Sequence, residues 1–340
     1  MKVGYIGCGG IANTYARKFK EMGHEVVGGA DLIEEKATAF AATFSGRCHT
    51  LDDLLKSDAD WIHICTWKSG HRPMAIRALE AGYNVFVEKP GGNSYEDTEA
   101  IARKAEKEGR LAILDIIERA NEAVNVARRF SSQCEITTLR HIRYGLKPSP
   151  TENKGATKDL GIYEIEVGRY LTGCQPEVRS AVVKMVEDER EKVKYDYNLY
   201  AVLNFGGIAS QIHCGYGSFR DRRLEIVSEN PEGRLDLAYT QMSVTLLGTS
   251  SFANLHPQTW EELKELSTLS PKNMPVEEKE PMKVVISSLE KSLRSGEIND
   301  LLISCRDAVP IVKATDDILE IAVELEPEKN HSIDLYNDKS

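Results

Sequence analysis

Residues 1–31 decide how the rest of the chain is read. An apolar run, Val3-Gly4-Tyr5-Ile6, meets Gly7-Cys8-Gly9-Gly10-Ile11-Ala12 and then a helical pattern to Met22. Gly23 stops that pattern, and a second apolar run from Glu25 to Ala30 closes on Asp31. Strand, glycine turn, helix, strand and acid, in that order, make the βαβ unit that cradles a dinucleotide. Gly7 permits the tight turn off the strand. Gly9 lets backbone approach a pyrophosphate, and Ala12 is the small residue needed where helix packs on strand. A helix starting at Gly10 and Ile11 aims its free amides and its positive dipole end at the phosphates.

Asp31 follows the glycines by about twenty residues, the separation at which a carboxylate accepts hydrogen bonds from a ribose. It would repel a 2′-phosphate, and Leu32-Ile33-Glu34 supplies no Arg after it. The cofactor expected is therefore NAD, with NADP less favoured. The plain alternative is an ordinary βα turn with a surface Asp.

The chain has 340 residues, too many for one typical domain, and 41% of them are hydrophobic, enough for two cores. Apolar runs are only of strand length, so no membrane span is expected. The N-terminus enters a strand directly, so no secretory signal is expected either. The net charge of −10 disfavours nucleic acid and anionic membranes as partners. Seven widely spaced cysteines, with no CxxC pair, read as reduced thiols in a cytoplasmic protein, and no metal is expected. His63 and Cys65, alternating on one strand, read as core residues rather than ligands.

Strands and helices alternate on from there. Helices are expected over 34–44, 51–55, 71–81 and, with Ser94 as a capping-box start, up to Glu108. Strands are expected over 59–65, 84–87 and 111–116. This spacing predicts a doubly wound, mainly parallel Rossmann sheet, whose ligand lies beyond the carboxyl ends of the strands. Three features fall at those ends: the Gly7 turn, the segment Thr66-Trp67 to His71, and Glu88-Lys89-Pro90. A Lys fixed by a following Pro can polarise a carbonyl or move a proton, especially where burial lowers its pKa.

Together, Gly7 to Ala12, Asp31, Ala78-Leu79-Glu80-Ala81-Gly82 and Val85-Phe86-Val87-Glu88-Lys89-Pro90 resemble the glucose–fructose oxidoreductase/inositol dehydrogenase family over about the first 120 residues. The resemblance implies that Lys89 is catalytic and that the Lys89–Pro90 bond is cis. It places Thr66, Trp67 and His71 in a loop beside the nicotinamide ribose, with Glu88 and Lys89 also against the cofactor. The family's usual Pro-Asn stands here as Trp67-Lys68.

The second half begins with a linker helix over 119–131, then a strand over 136–144 and a Pro/Lys/Ser-rich loop over 146–154. Gly155-Ala156-Thr157-Lys158-Asp159-Leu160-Gly161-Ile162-Tyr163 opens a helix that runs to Leu171. Asp159 and Tyr163, four apart, project from one face. With Lys89 they form a proton-transfer set for an alcohol, in which Lys89 is expected to lower the phenol pKa of Tyr163. The resemblance supports this, since the family carries an Asp with His or Tyr four positions on. The bland alternative is a half-buried tyrosine bonded to backbone.

Strands at 176–185, 197–205, 208–216 and 223–227 predict a large, mostly antiparallel sheet, one face covering helices and the other an oligomer interface. The charge run 187–194 reads as an exposed turn. Arg140, Arg143 and Arg169 can reach an acidic or polyol substrate, but structural ion pairs are the simpler reading. Helices at 281–294 and 301–322 close the chain, and no order is read for 241–275. The expected division is a Rossmann domain over 1–120, a substrate and oligomerisation domain over 121–330 and a tail over 331–340. The function expected is an NAD(P)-dependent dehydrogenase acting on a sugar, polyol or cyclic alcohol, as a homodimer or homotetramer. Two rivals stay open: a non-catalytic NAD-binding regulator, and a lyase or glycosidase that uses NAD transiently.

Overall fold

The computed structural model describes residues 1–44, 47–48, 50–146, 155–188, 192–230, 232–238, 243–248, 272–274 and 279–325. The expected tail and most of the loop over 146–154 lie outside them, as do parts of 187–194 and of 241–275.

The first sheet is built from β1 (Lys2–Ile6), β2 (Glu25–Ala30), β3 (Arg47–Cys48), β4 (Trp61–Ile64), β5 (Asn84–Glu88) and β6 (Ala112–Asp115). Their order, β6-β5-β4-β1-β2-β3, is parallel throughout. This is the doubly wound arrangement, and its switch point lies between β1 and β4, where a ligand crevice opens. The connecting helices are α1 (Gly10–Glu21), α2 (Glu34–Phe44), α3 (Leu51–Leu54), α4 (Lys68–Glu80) and α5 (Tyr95–Glu108). Central strands β4 and β5 are apolar on both faces because helices cover both. Accordingly, Trp61, Ile62, Ile64, Val85 and Val87 are all fully buried.

Two local expectations need correction. Helix α4 begins at Lys68, three residues before the expected start, with Trp67 at its N-cap. Pro73 is the sixth residue of α4, inside the helix, where its missing N–H takes one bond out of the ladder. Ser94 stands at the N-cap of α5 but makes no side-chain cap. Its hydroxyl bonds Glu96 instead, while Asp97 accepts from the Asn93 amide at 2.9 Å.

The linker is a short 3₁₀ turn over Ile117–Ala120 followed by α6 (Glu122–Ser131), capped by the Asn121 side chain. The second sheet joins β7 (Glu135–Leu146), β8 (Pro176–Glu187), β9 (Lys194–Phe205), β10 (Ile208–Gly217), β11 (Asp221–Glu229), β12 (Gly233–Ala238), β13 (Ser243–Gly248) and β14 (Lys272–Met274). It is antiparallel except where β10 pairs with β7 and where a short last strand pairs with β8. On β9, Leu199, Ala201, Leu203 and Phe205 are buried, while Tyr200 and Val202 between them are exposed. The period-2 alternation thus gives one core face and one open face. The core face packs on α7 (Ile162–Thr172), which ends at left-handed Gly173 as expected.

The closing segment returns to the first sheet. After α8 (Pro281–Ser295), Ile303–Ser304 form β15, which pairs antiparallel with β6. Only then does α9 (Cys305–Ile321) begin, capped by Ser304. The helix expected from 301 is therefore preceded by an edge strand. Residues expected in the second part complete the first, and α9 lies against α5 through Arg306–Glu106 at 2.7 Å and Tyr95 N–Asp316 at 2.8 Å. The last strand is β16 (Val323–Glu324).

Candidate active site

The cofactor end begins at Gly7, whose φ of +90° turns the chain off β1. A Cβ there would meet the Cys65 carbonyl at 2.6 Å, so only glycine fits. At Gly9 and Gly10 a Cβ would meet nothing within 4 Å. These two glycines leave open room in front of the N-terminus of α1, where a pyrophosphate needs backbone to come close. Asp31 lies at the end of β2 and accepts from the amides of Cys8 at 2.7 Å and Ile33 at 2.9 Å. A carboxylate has about four lone-pair positions, so this anchored group keeps acceptor capacity for a ribose. The residues present therefore fit a dinucleotide.

Beside this turn, Trp67 is 55% exposed and Ile11 lies at the surface. His71 is fully buried, and its Nε2 bonds the Thr66 carbonyl at 3.0 Å. Burial holds its imidazole down to about 4, and Nδ1 has no partner among the described residues. His71 therefore fixes the Thr66–Trp67 turn as a neutral ring.

The second end is assembled by side chains from distant segments. Lys89 follows β5, and its peptide bond to Pro90 is cis. Its Nζ donates to the Asp159 carbonyl at 3.0 Å and to the Asp159 carboxylate. The other carboxylate oxygen accepts from the Tyr216 hydroxyl at 2.9 Å. Asp159 is held in place by its own turn. Gly155 takes φ +127° with the Asp196 carboxylate against it, and Asp196 also accepts from the Thr157 amide at 2.6 Å. The turn that follows, Thr157–Gly161, is π-helical, a form common at functional sites.

Tyr163 lies in the first turn of α7 with two cations near its ring, Lys89 Nζ at 5.4 Å and Arg143 Cζ at 4.5 Å from the centroid. Arg143 is fully buried on β7. It donates through Nη2 to Glu118 at 2.6 Å and through Nε to Glu164, which also bonds His141 Nδ1 at 2.9 Å. Arg140 pairs with Glu225 at 2.9 Å on the open face, and Arg169 lies 3.7 Å from Glu166. All three arginines are thus structural ion pairs, as the simpler reading expected.

The electrostatics correct two expectations. Burial would lower the Lys89 ammonium, but Tyr163, Asp159 and Glu88 outweigh it and hold the group above its ordinary value. Burial pushes the Tyr163 phenol up to about 12, and the opposing pull of Lys89 does not overcome it. Lys89 is therefore an ammonium and Tyr163 a neutral hydroxyl donor near neutral pH.

Beneath Lys89 lies a buried acidic pocket. Glu88 and Asp115 are partners across β5 and β6, and Tyr15 donates to Asp115 at 2.7 Å. Burial pushes the Glu88 carboxyl up to about 7 and raises Asp115 well above the usual range. His63 Nε2 lies 3.2 Å from Glu88, inside an aromatic cage of Tyr5, Tyr15 and Phe86. His63, Cys65 and Glu88 thus gather in one place, but burial pushes the thiol well up and the imidazole down to about 3.

Sequence reasoning brought Lys89, Asp159 and Tyr163 into one set, and they do lie together. It missed Tyr216, Asp115, Glu118 and Asp196. The parity of Tyr216 with buried Ile212 and Cys214 on β10 was a usable signal for its face, though not for its partner.

Residues 1–116 match a family model described as an oxidoreductase family with an NAD-binding Rossmann fold. By sequence the chain is 26% identical over 213 residues to UDP-N-acetylglucosamine 3-dehydrogenase of Acidithiobacillus ferrooxidans, a match spanning 62% of this chain and 66% of that protein. The solved structure of that enzyme superposes with a TM-score of 0.79 at 17% identity, covering 95% of this chain and 97% of the other. Inositol 2-dehydrogenase 3 of Saccharopolyspora erythraea is 25% identical over 252 residues, 69% of this chain and 73% of the relative. A 3-ketoreductase of Actinomadura kijaniata, solved with TDP-benzene and NADP, superposes at 0.77 with 20% identity, covering 96% and 98%.

Proposed function

Because residues 1–116 match the oxidoreductase family with an NAD-binding Rossmann fold, and the similar proteins are sugar and inositol dehydrogenases, we propose that the chain is an NAD(P)-dependent dehydrogenase or reductase of a sugar, polyol or related cyclic alcohol. The observation that carries this reading is Lys89, held on Asp159 at the strand end beside an open glycine turn. Hydride exchange with the substrate carbon is the chemistry that NAD(P) supplies when bound. Gly7, Gly9, Gly10 and Ile11 would take the pyrophosphate and Asp31 the adenosine ribose, which favours NAD. Thr66 and Trp67, held by His71, would line the nicotinamide ribose.

Lys89 and Tyr163 would both hydrogen-bond the reacting oxygen. In the reducing direction an ammonium and a neutral phenol stabilise the developing alkoxide and supply its proton. In the oxidising direction Lys89 must first give up its proton, and Asp159 orients the amine that results. Trp67, standing 55% exposed at the N-cap of α4, offers a flat apolar face to a sugar ring.

The open face of the second sheet supports the further proposal of a homo-oligomer. Tyr200 stacks on His213 at 4.0 Å, and Tyr144 bonds His213 at 2.7 Å and packs on exposed Phe219. Such an exposed aromatic row favours a second copy as its cover.

The test is absorbance at the reduced-nicotinamide band with a panel of sugars, polyols and cyclic alcohols plus NAD or NADP. A substrate-dependent rise supports the dehydrogenase. Product release without net reduction, or NAD binding without any turnover, replaces it with one of the two rival readings.

A further inference from the structure

Arg222 lies on β11 directly across from Arg143 on β7. Its parity on the strand is that of buried Leu224 and Ile226, so it is directed to the core face of the sheet, the face that carries Tyr163's cation partner. Unlike the arginines around it, Arg222 has no close partner among the described residues. Its one ion-pair contact is to Glu118 at 3.7 Å, while that same carboxylate oxygen receives Arg143 Nη2 at 2.6 Å. Glu164 is likewise taken by Arg143 and His141. The guanidinium keeps 35% of its side chain exposed, at the border between buried cluster and solvent. Burial and the neighbouring Arg143 both lower its pKa, the direction expected of a cation short of compensating negative charge. Guanidinium geometry suits two parallel bonds to one oxyanion.

Resting on the reading of this site as a sugar dehydrogenase, we infer that Arg222 is the docking residue for an anionic group on the substrate, a carboxylate or a phosphate ester carried by the sugar. The reacting hydroxyl would lie at Lys89 and Tyr163, with the anion at the far side of the Tyr163 ring, where the outer fork of Arg222 is free. Arg143, already taken by Glu118 and Glu164, leaves Arg222 as the cation with bonds to spare.

The experiment compares matched trios: glucose, glucuronate and glucose 6-phosphate, then the galactose series. Each is measured by reduced-nicotinamide absorbance and by calorimetric titration into the NAD-loaded protein. The native protein should prefer one charged member over the neutral sugar by tenfold or more, and the preferred member tells carboxylate from phosphate. Arg222→Gln should cut that preference about tenfold to a hundredfold, through KM rather than kcat. Arg140→Gln, on the open face, controls for overall charge and should leave the preference unchanged. An equal preference in native protein and Arg222→Gln, or a native preference for the neutral sugars, overturns the inference while leaving the dehydrogenase in place. Anion-dependent binding that Arg222→Gln abolishes, with no turnover of any member, sustains the docking site and removes the dehydrogenase. Absence of binding by every member overturns the inference.

Discussion

At the β1–α1 turn the working parts are backbone: Gly7 at φ +90°, open room at Gly9 and Gly10, and one anchored carboxylate, Asp31. At the end of β5 the working parts are side chains, and Lys89, Asp159, Tyr163, Tyr216 and Arg143 come from segments up to 127 residues apart. The first end is contiguous in sequence and open to solvent. The second is assembled only when the two sheets meet, and it is dense with buried charge. A backbone cradle tolerates different ligands of one shape, whereas a buried ionic cluster must be satisfied member by member, because each unpaired charge is costly.

Lys89→Ala tests that contrast most severely. Turnover should fall about 10³-fold while NAD affinity, fixed by the other end, stays within a few-fold. Steady-state rates and cofactor titration report the two separately. Arg143→Met should leave Glu118 and Glu164 buried without their cation and lower stability by about 3–5 kcal/mol in urea unfolding. A loss under 1 kcal/mol would mean that water reaches the cluster.

The pH dependence follows from Lys89 being held above its ordinary value. Its neutral form is scarce at pH 7, so oxidation should quicken by about tenfold per unit from pH 7 to 9, while reduction slows or stays flat. An oxidation rate flat over that range would show that another group takes the proton. At the other end, Asp31→Ser should weaken NAD about tenfold and improve NADP, with kcat unchanged.

The smallest effect concerns the pocket beneath Lys89. Glu88 titrates near 7 in the folded chain, above its unfolded value, so the folded state binds the extra proton. That contribution is complete below the unfolded pKa, at acid pH, and is lost as pH rises through about 7. Glu88→Gln, which cannot ionise, should therefore raise Tm by a few degrees at pH 8 and much less at pH 5.

The same contrast explains what could be read from sequence. Gly7, Gly9, Gly10 and Asp31 act through local backbone geometry, which residue type and spacing report directly. The alternating strands and helices of the first sheet were legible for the same reason, down to Glu25–Ala30 and Glu34–Phe44. The early start of α4 at Lys68 was not, because Trp67 at the N-cap carries no capping signature. β15 was hidden inside an apparent helix, since two residues have no period and only pairing with β6 makes them a strand.

At the second end, Lys89, Asp159 and Tyr163 could be grouped by resemblance. Their protonation could not, because Tyr163 is governed by burial that only the assembled core supplies. Tyr216 and Arg222 sit on strands that each pair with β7 as well as with a sequence neighbour, and three strands separate β7 from β11 in the chain. No spacing rule reports such a contact.

The central claim is that Lys89 works only as placed by Asp159, across the junction of the two sheets. A double-mutant cycle on kcat/KM with Lys89→Ala, Asp159→Asn and the double variant measures that directly. The account predicts that the double variant loses little more than Lys89→Ala alone, because Asp159 acts through the amine. Two losses that simply multiply would contradict it and make Asp159 an independent part of the site.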